Sequence, residues 1–162
     1  MVIQKQKILD MGAGANPYPR ATHAIDATKK LHPTKEEINF YKAEHGKNLE
    51  TKLKQMDYKI KINYNTQKLP WPDNSFKMVY SNGSLAENGN LHAYKEAYRV
   101  LKHGGKLKYG MIVGTKQEIQ KKMQLPQKAG FINVHTGKIY VTPKQTKNKG
   151  EILATDIIAT KP

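Results

Sequence analysis

The chain has 162 residues, no cysteine, and 28 Lys plus Arg against 13 Asp plus Glu, for a net charge of +15. Its length suits one domain, residues 1–162, with a core that needs no staple, and the missing cysteines exclude disulfides, thiolate zinc sites and a cysteine nucleophile. No apolar run approaches the roughly 20 residues of a membrane span, and residues 1–5 lack the apolar stretch of a secretory signal, so a cytoplasmic location is expected.

Apolar runs alternate with helical patterns, which predicts βα units and a mostly parallel sheet. Residues 7–10 read as the first strand and 22–26 as the second; Pro17 and Pro19 between them leave room for a loop or one helical turn, not a crossover helix. Residues 34–55 read as helix, opened by a Thr34/Glu37 capping box and interrupted near His45-Gly46. Residues 58–62 form a third strand, 68–74 a turn-rich connection, and 76–80 a fourth, buried strand. Leu91, Tyr94, Ala97, Tyr98 and Leu101 share one face of a helix over 91–101, stopped by His103-Gly104-Gly105. A fifth strand covers 106–113. The helix after it opens with a Thr115/Glu118 capping box and runs to 129, with Pro126 breaking it late. Residues 131–141 and 151–160 read as two final strands, and 142–150, with three lysines, as a basic hairpin tip.

The strongest local signal is Ile8-Leu9-Asp10-Met11-Gly12-Ala13-Gly14-Ala15-Asn16-Pro17: a buried strand that delivers a carboxylate and then a glycine turn to the carboxyl edge of the sheet, where open α/β sheets bind ligands. Glycines there permit close backbone approach, although a tight structural turn alone would also use them. Asp26, sixteen positions after Asp10, ends the next strand. A carboxylate at that place is able to accept both hydroxyl protons of a ribose, and it equally suits a solvated loop.

Three stretches, in this order and at these spacings, make the chain resemble the class I S-adenosylmethionine-dependent methyltransferases: Leu9-Asp10-Met11-Gly12-Ala13-Gly14, then Leu69-Pro70-Trp71-Pro72-Asp73-Asn74-Ser75-Phe76, then Tyr98-Arg99-Val100-Leu101-Lys102-His103-Gly104-Gly105-Lys106-Leu107. The resemblance covers roughly residues 5–113. It implies a Rossmann-like sheet, mostly parallel with an antiparallel C-terminal hairpin and helices on both faces. It implies S-adenosylmethionine as cofactor, contacted by Asp10, Met11, Gly12, Ala13 and Gly14, with Asp10 toward the methionine amino group. Asp26, with Ala27 beside it, would hold the ribose. Asn65 and Thr66 would face the adenine, and Ser81 and Asn82 the place where methyl donor and acceptor meet. The sequence departs from the family pattern at Asn16-Pro17, in place of a third glycine, at Lys77, and at Leu85-Ala86-Glu87. The last two departures fall on the acceptor side and leave an alternative open: a catalytically inactive domain that binds nucleic acid or protein.

A pyrophosphate-binding dinucleotide site wants G-x-G-x-x-G opening a helix, and Asn16-Pro17 and Pro19 stand against that. The six histidines (His23, His32, His45, His92, His103 and His135) are scattered, no general base stands out, and no set of side chains has metal-ligand spacing. The acceptor is therefore read from charge and size. A cleft with little inserted material suits a large acceptor, or else a lid from residues 30–55, and the +15 charge leans toward RNA or another polyanion. Against that lean, only Arg20 and Arg99 are arginines, the better phosphate fork.

Overall fold

The computed structural model describes residues 6–14, 16–27, 32–141 and 151–162. Among the described residues, eight strands form one sheet: β1 (Ile8–Met11), β2 (His23–Ile25), β3 (Asp57–Lys59), β4 (Phe76–Asn82), β5 (Leu101–Gly114), β6 (Ile132–Thr136), β7 (Tyr140–Val141) and β8 (Leu153–Thr160). Their spatial order is β3-β2-β1-β4-β5-β8-β6, with β7 on β8. The pairs from β3 through β5 are parallel, and β8 runs antiparallel to β5, β6 and β7. The expected mostly parallel sheet with an antiparallel C-terminal hairpin is what the chain adopts.

Five helices among the described residues accompany it: α1 (Lys35–His45), α2 (Leu49–Gln55), α3 (Ser84–Asn88), α4 (Leu91–Val100) and α5 (Lys116–Lys128). Strand alternation decides which side chains each helix covers. Leu9, Met11, Val79, Leu107, Tyr109, Ile157 and Ala159 are fully buried and pack with Ala93, Tyr94, Ala97 and Val100 of α4 and Ile119 of α5 in one core. Ile8 and Ala24 point the other way, into a smaller cluster with Ala13, Ala21, Met56, Tyr18 and Tyr58. Leu49 and Tyr41, from α2 and α1, are fully buried at this end of the sheet. Farther along the same face, Met78, Tyr80, Lys106 and Lys108 keep solvent exposure. No described helix is long and apolar enough to cross a membrane.

Both capping boxes form as expected. The helix expected over 34–55 is two helices, because Gly46 takes a left-handed φ of 61° and ends α1. The third strand is shorter and earlier than 58–62, since Lys61 turns at a φ of 62°. His103-Gly104-Gly105 does not stop a helix. α4 ends at Val100, Leu101 is already extended, and the glycines lie inside β5 where its pairing with β4 shifts register. Pro126 sits inside α5, which continues to Lys128. The strand expected over 131–141 splits into β6 and β7 around Gly137, whose N–H donates to Asp156 O at 2.8 Å. α3 is an element the sequence pattern did not announce, and the expected hairpin tip at 142–150 lies outside the described residues.

Two of the three motifs turn out to hold each other. The Arg99 guanidinium donates to Glu96 at 2.8 Å, to Asp73 at 2.8 Å, to Trp71 O at 2.9 Å and to Leu69 O at 3.1 Å. Glu96 in turn accepts the Leu69 N–H at 2.6 Å. The turn-rich connection is thereby strapped to α4, which fixes where β4 enters the sheet.

Candidate active site

β1 carries its chain to the carboxyl edge and turns there on Gly12 (φ 72°) and Gly14 (φ 53°). Both conformations lie in the left-handed region that favours glycine. The N–H groups of Gly12 and Ala13 both donate to Ile25 O, at 2.9 and 3.1 Å, and Gly14 N–H donates to Asp26 Oδ2 at 2.9 Å. Tyr58 closes the loop by donating to Gly14 O at 2.5 Å. All three amides are thus satisfied within the chain, so this loop does not offer the backbone cradle that a pyrophosphate needs. Asp26 and the glycine loop are brought together as expected. The Met11 side chain is buried in the helix-covered core, which leaves only its backbone to the site.

Gly12 has a second constraint. A Cβ there would come within 2.4 Å of Ser84 Oγ, and Ser84 is hydrogen-bonded to Tyr64 at 2.6 Å. A Cβ at Gly14 meets nothing within 4 Å. Gly12→Ala should therefore lose about 1 kcal/mol more than Gly14→Ala, which bears only the backbone cost of roughly 1 kcal/mol. Urea unfolding of the two variants checks this, and equal losses would refute the steric role of Ser84.

Asp10 is 1% exposed. Its Oδ2 accepts the Tyr18 N–H at 2.6 Å, and its Oδ1 has no partner. Burial pushes its carboxyl up to about 7, opposed by the Tyr18 hydrogen bond and reinforced by the Asp26 charge. The other buried side-chain polar atoms without a partner among the described residues are Asn16 Oδ1, in the following loop, and the Tyr41 hydroxyl, which senses the Asp10 charge. Unpaired buried polar groups carry a desolvation cost that a bound polar group relieves. Asn16 Oδ1 accepts only, and Asp10 does so once ionised, which suits a cationic donor.

The remaining sequence candidates divide. Ser81 is fully buried and accepts the Leu85 N–H at 3.0 Å, so it anchors α3. The Asn65 carbonyl oxygen accepts the Asn90 N–H at 3.0 Å, and Thr66 N–H donates to Asn63 O at 3.1 Å. Both residues thus have structural duties that the sequence did not disclose. Ala27 is exposed at the edge beside Asp26. Asn82, at the end of β4, lines a cleft of about 320 Å³ together with Tyr18, Arg20, His45 and Tyr80. Tyr18 and Tyr80 are stacked there with centroids 4.3 Å apart. His45 comes from α1, so α1 lines part of this cleft. Nothing in the local sequence singles out His45, because its neighbours in this cleft are remote in the chain.

Residues 9–108 match the family described as Methyltransferase domain. The chain belongs to that family. This methyltransferase domain is similar in fold to several solved structures. One is a SAM-dependent methyltransferase from Thermotoga maritima, described as a possible histamine N-methyltransferase (17% identity, 99% of this chain and 84% of that one, TM-score 0.57). Another is an arsenic(III) S-adenosylmethionine methyltransferase from Chlamydomonas reinhardtii (18%, 98% and 64%, 0.65). A third is a SAM-dependent methyltransferase from Aquifex aeolicus (17%, 98% and 84%, 0.56). A search of curated proteins finds no match. The cofactor implied by the family and by these neighbours is S-adenosylmethionine.

Proposed function

We propose that the chain works as a single domain that binds S-adenosylmethionine beside Gly12 and transfers its methyl group to an acceptor carried by RNA or another polyanion. The observation that carries this reading is the unpartnered, fully buried Asp10 Oδ1 next to the glycine turn, with Asp26 held at the end of β2. Asp10 would accept from the methionine ammonium. Asp26 would accept from the ribose hydroxyls, and its bond to Gly14 N–H aims the carboxylate along the loop. Gly12, Ala13 and Gly14 would let the ligand lie against backbone, with Ala27 at the ribose edge.

When bound, the cofactor supplies an electrophilic methyl group on a sulfonium. The chain's own task is alignment and exclusion of water. Tyr80 and Asn82 at the end of β4, with His45 opposite, border the cleft that would receive the acceptor. Its opening past Arg20, together with the +15 charge, supports an anionic acceptor.

Calorimetric titration tests the binding half of this reading. Asp26→Ala should weaken S-adenosylmethionine by about 30-fold or more, the worth of two hydrogen bonds to a charged acceptor. Unchanged affinity would remove Asp26 from the site. A second reading, a domain that binds partners without catalysing, draws on one observation. The Ser84–Tyr64 pair fills the space over Gly12, and the cleft beside Tyr80 and Asn82 is not lined by Gly12, Gly14 or Asp26. Failure of both S-adenosylmethionine and S-adenosylhomocysteine to bind would favour that reading.

A further inference from the structure

Three clefts share lining residues along the less covered face of the sheet and round its amino edge. Gln6 lines all three; Ile8 and Arg20 join the first to the second, and Lys77 and Gly104 join the second to the third. Their volumes are about 710, 200 and 470 Å³. Lys47 stands beside Arg20 in the first cleft, Lys106 beside Lys77 in the second, and Lys7 and Lys102 in the third. No described Asp or Glu lines any of them. These six cations are all exposed, and none takes part in an ion pair among the described residues. Like charges gathered along one trough repel one another, and a polyanion lying in it would relieve that repulsion.

The floor has a different character from the rim. Ile8 and Met78 are register partners on neighbouring strands, and both are only partly buried. Tyr18 stands at the margin with its ring stacked on Tyr80. An apolar and aromatic floor between cationic rims matches a single strand, whose bases lie flat while its phosphates reach outward. An acidic peptide would match the rims but leave the floor unused.

We infer that this trough is a binding track for the backbone and bases of single-stranded nucleic acid. The track leads somewhere. Tyr18 and Arg20 also line the cleft that holds Tyr80 and Asn82, so a strand passing Arg20 brings a nucleotide to the end of β4. That purpose rests on the methyltransferase reading above, whereas binding along the track does not.

Fluorescence anisotropy with a labelled oligouridylate of about 12 nucleotides tests the track. Each phosphate contact on a single strand contributes about 0.7 to the salt dependence of log affinity. The variant K77Q/K102Q/K106Q should therefore lower that slope by about 2 and weaken binding by at least about 10-fold at about 50 mM salt. The variant K95Q/K121Q/K128Q removes equal charge from exposed positions on α4 and α5, and it should leave the slope unchanged. Equal losses in both variants would overturn the track, and so would polyglutamate of the same length binding as tightly as the oligonucleotide. Titration of S-adenosylmethionine into the same three proteins keeps the two ideas apart: its absence of binding counts against the methyltransferase reading, and the oligonucleotide data alone decide the track.

Discussion

The unliganded protein should lose stability as the pH rises from the ordinary carboxylate value of 3.8 to about 7, and Asp10→Asn should abolish most of that loss. Burial is the main cause of the raised value, so the folded state favours the protonated carboxyl. Within this window the folded chain holds a proton at Asp10 that the unfolded chain has released. Unfolding free energy therefore falls with pH and levels off above about 7. Roughly 3 units of displacement set a ceiling of about 4 kcal/mol. At a pH of about 8, Asp10→Asn should be the more stable protein by about 2 kcal/mol or more. S-adenosylmethionine should reverse the ranking, because an ammonium placed against Asp10 favours the ionised carboxylate. Its affinity for the native protein should then fall below a pH of about 7. Chemical denaturation at several pH values, with and without the ligand, reads both effects. A less stable Asp10→Asn at high pH would mean that the native carboxylate is already charged and satisfied.

Arg99→Met should destabilise the fold by about 3 kcal/mol, near the lower end for breaking a buried ion pair. The Arg99 side chain is 17% exposed, and it satisfies Glu96 and two backbone carbonyls of the connection between β3 and β4. Removing it strands Glu96, which is 7% exposed, with the Leu69 N–H, at 2.6 Å, as its remaining hydrogen-bond donor among the described residues. The expected fall in Tm is about 6–12 °C for a chain of this size. Adding Glu96→Gln should recover part of the loss, because the stranded charge goes with it. A loss below about 1 kcal/mol would show that the strap is not what holds the connection. The contact with Asp73 matters less, since that carboxylate is largely exposed.

That strap also gives the second and third motifs a structural duty that their order along the chain did not disclose. Leu69-Pro70-Trp71-Pro72-Asp73 and Tyr98-Arg99-Val100-Leu101 stand about 30 residues apart, and their pairing through Arg99 is a contact across space. They serve the entry of β4 into the sheet. Asn65 teaches the same lesson on a smaller scale. Its amide ties residues 63–66 to Asn88 and Asn90 ahead of α4, a duty that its place four residues before Leu69 did not disclose.

The alternation of strands and helices along the chain, the loop in place of a first helix, both capping boxes and the place of Asp26 at the end of the second strand were all written in local sequence. Each rests on short-range rules: side-chain periodicity, proline geometry, and a carboxylate at a strand end. Which polar groups are left unsatisfied at Asp10, how Ser84 closes on Gly12, how His45 reaches the β4 cleft and how lysines gather with Arg20 along one trough were decided only by tertiary structure. Burial and distance between residues remote in the chain set desolvation and repulsion, and neither quantity exists until the sheet and its helices have come together.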